Sequence, residues 1–229
     1  MQRNGNANPS FDFGGIIMKN ILLGAVAVVA IAAAVVFACS MGGPPDVKVL
    51  SATEKAACGL SVEVTEGPYY VSGTAALQDG NLNATNLAGT PITISGHVYS
   101  GAEGTTPVAN AKIEIWHADS TGNYHPNANG DVAKYKPAGL ALRGFITTDA
   151  QGAYRFDTIY PGEYTGRTRH IHFKISNGAK TLTTQLILAV PGDKIGFDED
   201  TIAKGLPSCA LLKFDTSAKP ETASFDFRL

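Results

Sequence analysis

The feature that most constrains this chain is its lack of any long helical repeat from Cys58 onward: apolar residues come in short alternating runs divided by clusters of turn formers. Alternation with period two puts successive side chains on opposite faces of an extended chain, so each run specifies a half-buried strand. The runs are Ile92 to Tyr99, Ala111 to His117 (Ile113 and Ile115 on one face), Leu142 to Thr147, Tyr154 to Ile159, His170 to Ile175, Leu182 to Ala189 and Ser224 to Leu229. Thr148-Asp149-Ala150-Gln151-Gly152, between the third and fourth, suits a tight hairpin. Such strands without intervening helices predict an all-β fold, a single antiparallel β-sandwich domain. Lys194 to Lys204 can hold a short helix.

The 18 basic residues are scattered among 20 acidic ones, for a net charge of −2, and no basic patch speaks for nucleic acid. The N-terminus carries a different signal. Met18-Lys19-Asn20 precedes an apolar run, Ile21 to Ala38, that ends at Cys39. A short positive region, an apolar run and small residues before a cleavage point make an export signal, and one ending at a cysteine resembles the bacterial lipoprotein type. The expectation is a periplasmic or outer-surface protein whose lipidated Cys39 anchors it to the membrane. An uncleaved anchor, the run being about long enough to span a bilayer, and secretion with complete release stay open. The domain reading is 1–17, an extension or start-site artefact; 18–39, the signal; 40–57, a linker; 58–229, the sandwich. Cys58 and Cys209 remain, and an oxidising compartment lets them pair. Closing so long a loop is worth about 4–5 kcal/mol in the chain-entropy model; two unpaired cysteines are the alternative.

Chemistry concentrates in Gly162-Glu163-Tyr164-Thr165-Gly166-Arg167-Thr168-Arg169-His170-Ile171-His172-Phe173. His170 and His172, two apart on a strand, project from one face with Ile171 on the other. Two adjacent imidazoles suggest a metal, and a nearby phenol, a hard anionic donor when deprotonated, suggests ferric iron over zinc or copper(I). Hydrogen-bonded histidines of a partly buried sheet are the plainer alternative.

Four segments, in order, resemble the intradiol ring-cleavage dioxygenases, the family of catechol and protocatechuate dioxygenases. They are Thr65-Glu66-Gly67-Pro68-Tyr69-Tyr70; Ile115-Trp116-His117-Ala118 through Gly122-Asn123-Tyr124; Arg143-Gly144 through Tyr160-Pro161-Gly162-Glu163-Tyr164; and Gly166 to Phe173, with Leu182-Thr183-Thr184-Gln185 beyond. The resemblance implies one non-haem Fe(III) per chain, held by Tyr124, Tyr164, His170 and His172. It implies that Arg167 stabilises charge developing on the ring, that Tyr164 takes a substrate proton, and that Gly67, Tyr69 and Gln185 line the substrate pocket. The implied reaction cleaves a catecholic ring between its hydroxylated carbons with O₂, giving a cis,cis-muconate-type diacid. The short Tyr164–His170 spacing resembles an exported subgroup. Some of the same segments also resemble transthyretin-like sandwich modules of surface proteins, whose topology matches the predicted fold but which lack the Arg-x-x-His-x-His run; a non-catalytic binding or adhesion module is therefore the alternative. Trp116 reads as a core anchor, His117 as structural or supporting the site, His125 as a loop histidine, His97 as structural, Tyr70 as core and Tyr160 as a packing residue competing with Tyr164.

Overall fold

The computed structural model describes residues 61–188, 190 and 192–229. The strands are β1 (Val71–Ser72), β2 (Pro91–Ser100), β3 (Thr106–Pro107), β4 (Lys112–Trp116), β5 (Gly130–Asp131), β6 (Arg143–Thr147), β7 (Ala153–Ile159), β8 (His170–Asn177), β9 (Lys180–Ile187), β10 (Glu221–Ser224) and β11 (Phe227–Arg228). They form a four-stranded sheet of order β6-β4-β8-β9, a five-stranded sheet built on β2, and the small β1–β5 pair. In the first sheet every pairing is antiparallel. In the second, β7 and β3 pair antiparallel with one edge of β2, while β10 and β11 run parallel to it.

The alternation seen in the sequence fills the space between the sheets. Ile113 and Ile115 of β4, Ile171, Phe173 and Ile175 of β8 and Leu182 and Leu186 of β9 meet Ile92, Ile94, Phe156 and Phe227, all in one buried cluster. Fully burying such a side chain contributes about 1.5–3 kcal/mol, so these residues dominate the stability. His117, at the end of β4, crosses between the sheets. Its Nδ1–H donates to the Ala118 carbonyl (2.6 Å), leaving Nε2 to accept from the Thr158 hydroxyl of β7 (2.7 Å).

Two expectations need correction. The run from Ser224 to Leu229 is not one strand. The chain bends at Phe225 and Asp226, where the Asp226 carboxylate accepts from the His97 amide (3.0 Å), and the ladder resumes as β11. Gly96 sits under this bend, and a Cβ there would collide with the Phe225 carbonyl. Lys194 to Lys204 is not a helix either. It runs as turns up to Ile202 and enters a single 3-10 turn at Ala203–Gly205, with another beyond it at Ser208–Ala210. Ala203, Leu206 and Ala210 then pack on Ile187 of β9, outside the sandwich.

Sheet edges are also covered. Phe145 of β6 exchanges backbone bonds with Ala75 and Leu77, and Val64 and Leu212 donate to carbonyls of β9. Residues before β2 and after β9 thereby pair with both edges of the four-stranded sheet.

Candidate metal and substrate site

Register places Arg143, Trp116, His172 and Gln185 side by side in one row across β6, β4, β8 and β9. They face away from the sandwich interior, yet Gln185 is 0% exposed, His172 1%, Trp116 2% and Arg143 8%. The cover is aromatic. Tyr69, Tyr70 and Tyr164 pack on Trp116, Ala118 and Tyr124. The outer face of this sheet therefore carries a second small core, and the predicted site residues lie in it.

Tyr124 is delivered by the loop after β4. The Asp119 carboxylate closes that loop by accepting from the Thr121 amide (2.8 Å), the Thr121 hydroxyl (2.7 Å) and the Asn123 amide (3.0 Å), and it pairs with His125 Nε2 (2.8 Å). Tyr164 sits on a tight turn, with backbone bonds running both ways between it and Arg167. His170 Nδ1–H donates to the Thr168 carbonyl (2.7 Å), which leaves its Nε2 lone pair free to face the phenols. His172 Nδ1 is buried with no hydrogen-bond partner. Trp116 lies against this ring instead, and Gly67 faces its edge, where a Cβ would reach van der Waals contact with His172 Cε1 at 3.4 Å.

Four donor atoms converge. Tyr124 Oη lies 3.0 Å from His172 Nε2 and 3.4 Å from His170 Nε2, and Tyr164 Oη lies 3.2 Å from His170 Nε2. A cation bonded at about 2.1 Å to neighbouring donors roughly at right angles separates them by about 3 Å. The spacing therefore suits a single ion held by all four. Burial holds both imidazoles neutral, His170 at about 3 and His172 well below its usual value. Burial likewise raises the phenols of Tyr124 and Tyr164, which stay protonated until a cation displaces their protons. Among the described residues no three His, Cys, Asp or Glu side chains form a metal cluster; the donor set rests on phenols, which favours a hard ion.

Arg167 borders the donors. Its NH1 points to Tyr164 Oη (3.5 Å), NH2 donates to Gln185 Oε1 (2.6 Å) and Nε to Asp200 Oδ2 (2.8 Å). Gln185 Nε2 is buried without a partner. The Tyr69 ring stacks on Tyr124 at 4.3 Å and meets Tyr164 edge-on at 6.2 Å. Gly67, Tyr69, Tyr124, Tyr164, Arg167, His170, His172 and Gln185 are thus neighbours. Cys39 and Cys58 lie outside the described residues, and Cys209 is disulfide-bonded.

Other readings divide. Tyr160 is elsewhere, donating to Glu221 (2.8 Å) and packing on Phe214. His125 is a loop residue tied to Asp119, and His97 pairs with Asp226 on the other sheet. Trp116 is a buried core residue, as expected, but of the outer cluster and not of the sandwich interior. Alternation with Ile113 and Ile115 turns it outward, onto His172. Tyr70 packs on Trp116 in this outer cluster and donates to Glu114 (3.2 Å). Two residues went unread. Arg143 donates to the carbonyls of His125 (2.7 Å), Tyr69 (2.8 Å) and Pro126 (3.2 Å), fastening the segment of Tyr69 to the loop of Tyr124. Asp200 receives Arg167.

A family model described as dioxygenase matches residues 65–229. Catechol 1,2-dioxygenase 1 of Acinetobacter lwoffii is 34% identical over 165 residues, 62% of this chain and 50% of that protein. The protocatechuate 3,4-dioxygenase beta chain of Burkholderia cepacia is 32% identical over 154 residues, 61% of this chain and 63% of that one. The chain thus spans about half to two thirds of the length of these relatives. Among solved structures, the dioxygenase domain of a carbohydrate-binding fusion protein from Streptomyces sp. SirexAA-E superposes with a TM-score of 0.60 at 30% identity, covering 74% of this chain and 97% of that one. The catechol 1,2-dioxygenase of Acinetobacter sp. ADP1 gives 0.58 at 26% identity, covering 77% and 66%. With the family match extending over most of its length, the chain belongs to the intradiol ring-cleavage dioxygenases.

Proposed function

We propose that this protein is a non-haem ferric intradiol dioxygenase that opens a catecholic ring between its two hydroxylated carbons. The carrying observation is the convergence of two phenol oxygens and two imidazole nitrogens at separations of 3.0–3.4 Å, beside a guanidinium held on three sides. Tyr124, Tyr164, His170 and His172 would hold the ion. When bound, ferric iron draws electron density from the deprotonated catechol and makes a ring carbon reactive toward O₂.

The chain's own residues supply the rest. Tyr164 is the less buried of the two phenols and lies beside Arg167, so its Oη is placed to accept a proton from an entering catechol. Arg167, permanently charged, stabilises negative charge that develops on the substrate as the ring loses aromaticity. The free N–H of Gln185 can donate to a substrate oxygen. Tyr69, stacked on Tyr124, walls the pocket with an aromatic face. Catechol and O₂ combine into one diacid, with both oxygen atoms retained, so the reaction needs no external reductant. The apolar run before Cys39 supports an exported, membrane-anchored setting as part of this proposal.

Purified protein loaded with Fe(III) should be red-brown from tyrosinate-to-iron charge transfer and should consume O₂ with catechol, protocatechuate, chlorinated or trihydroxylated rings. Iron-loaded protein without colour overturns the assignment.

A further inference from the structure

Three carboxylates tie the turn carrying Tyr164 and Arg167 to the stretch after β9. Glu163 accepts from the amides of Lys194 (3.1 Å) and Ile195 (2.6 Å). Arg169 Nε donates to Asp193 (2.7 Å). At the centre, Asp200 Oδ2 accepts from Arg167 Nε (2.8 Å) and the Thr168 amide (3.0 Å). Its Oδ1 accepts from the amides of Ile202 (2.8 Å) and Ala203 (3.0 Å). Asp200 is 0% exposed, and the Arg167 side chain 12%.

From these contacts we infer that Asp200 is a positioning residue for Arg167, fixing the guanidinium so that NH1 faces Tyr164 and the substrate. A guanidinium has five donors in a rigid plane. With Nε on Asp200 and NH2 on Gln185, two directions of that plane are set, and NH1 has one direction left. Gln185 belongs to the sheet and Asp200 to the stretch beyond it, so this stretch decides where the cation stands. Without the carboxylate, Arg167 keeps only neutral partners, Gln185 and the long contact to Tyr164, on a long, rotatable stem. A misplacement of about 1 Å at a reacting centre can lower a rate about a hundredfold. Asp200 touches no reacting atom; it also holds the Thr168 amide, and an R167A background separates that contact from its action through Arg167.

This inference rests on the ring-cleavage reading for its kinetic arm, so the test has an arm that does not. In ¹⁵N-labelled wild-type protein, Arg167 Nε–H should give a slowly exchanging resonance, assigned by its loss in R167K. In D200N that resonance should vanish or move to the position of solvated arginines. An unchanged signal overturns the inference whether or not the protein turns over any catechol. In the kinetic arm, with iron content measured, D200N and D200S should lower kcat about 10–100-fold and change KM by less than about threefold. Serine and asparagine both still cap the Ile202 and Ala203 amides, so loss of the cap does not account for the fall. In an R167A background D200N should have almost no further effect, because residues acting in series are not additive. A full additional loss in that background, or a D200S enzyme with wild-type kcat, overturns the inference; an inactive wild type instead overturns the ring-cleavage reading.

Discussion

Trp116 lies flat on His172, ring centroids 4.8 Å apart and planes within 10°. The two are direct partners in the β4–β8 ladder. His170 is oriented by its hydrogen bond to Thr168, whereas His172 Nδ1 has no partner, so on that side of the second imidazole only packing orients the ring. Replacing Trp116 with leucine removes that wall. Metal affinity should fall about 10–100-fold, the usual cost of losing what orients a ligand, while W116F should retain most of it. Chelator competition on the apo protein measures the loss. A W116L variant that binds iron like wild type shows that stacking contributes nothing.

Arg143 leads to a second expectation. A guanidinium that is 8% exposed and hydrogen-bonded to three backbone carbonyls cannot be removed without leaving those acceptors unsatisfied. R143M should destabilise the protein by about 2–4 kcal/mol, since the carbonyls lose a charged donor and a buried unsatisfied group costs about 1–3 kcal/mol. It should also loosen the Tyr69–Tyr124 stack. Urea denaturation gives the first quantity, and tyrosine near-UV circular dichroism reports the second. A loss below about 1 kcal/mol means the carbonyls find water.

How much of this was legible beforehand follows from the range over which each signal acts. The strands could be read because alternation is local, and β4 and β8 begin within a residue or so of their expected places. Tyr124, Tyr164, His170 and His172 were expected together because the resemblance carries them together, and the fold brings neighbouring donor atoms among them to 3.0–3.4 Å. Trp116 is a core residue, as expected, but which core it joins was not legible: Ile113 and Ile115 face inward, so Trp116 two positions from Glu114 must face out, and a second core on that face has no signature in a single strand. Asp200 lies 33 residues from Arg167, and Arg143 binds backbone carbonyls, which any sequence supplies. The parallel docking of β10 and β11 on β2 is likewise silent in the pattern, since alternation fixes a face and not a direction.

His117 should make stability sensitive to acid. Burial lowers its folded-state value to about 4, against 6.5 when unfolded. The unfolded chain therefore takes up the proton first. The contribution is complete above about pH 6.5 and is lost as pH falls toward 4, at about 1.4 kcal/mol per pH unit. H117Q can keep both hydrogen bonds, amide to Ala118 carbonyl and oxygen to Thr158 hydroxyl, without titrating. Between pH 6.5 and 5 wild type should lose about 2 kcal/mol more than H117Q in urea denaturation. Parallel losses in the two proteins exclude His117 as the source.

Metal loading should depend on pH with a slope set by the two phenols. Burial raises Tyr124 well above the ordinary value of 10 and raises Tyr164 as well, so both are protonated in the apo protein at neutral pH. Both must lose their protons to bind as phenolates, and a more acidic solution opposes that loss. The imidazoles release nothing, since burial keeps His170 at about 3 and His172 far below its usual value. Apparent affinity for Fe(III), supplied as a nitrilotriacetate complex and corrected for the chelator's own titration, should therefore rise by up to about 100-fold per pH unit. Y124F or Y164F should reduce this to about tenfold and bleach much of the charge-transfer colour. Calorimetry in buffers of different ionisation enthalpy counts the protons directly. Release near zero in wild type, or release that neither variant changes, is incompatible with phenolate ligation at this site.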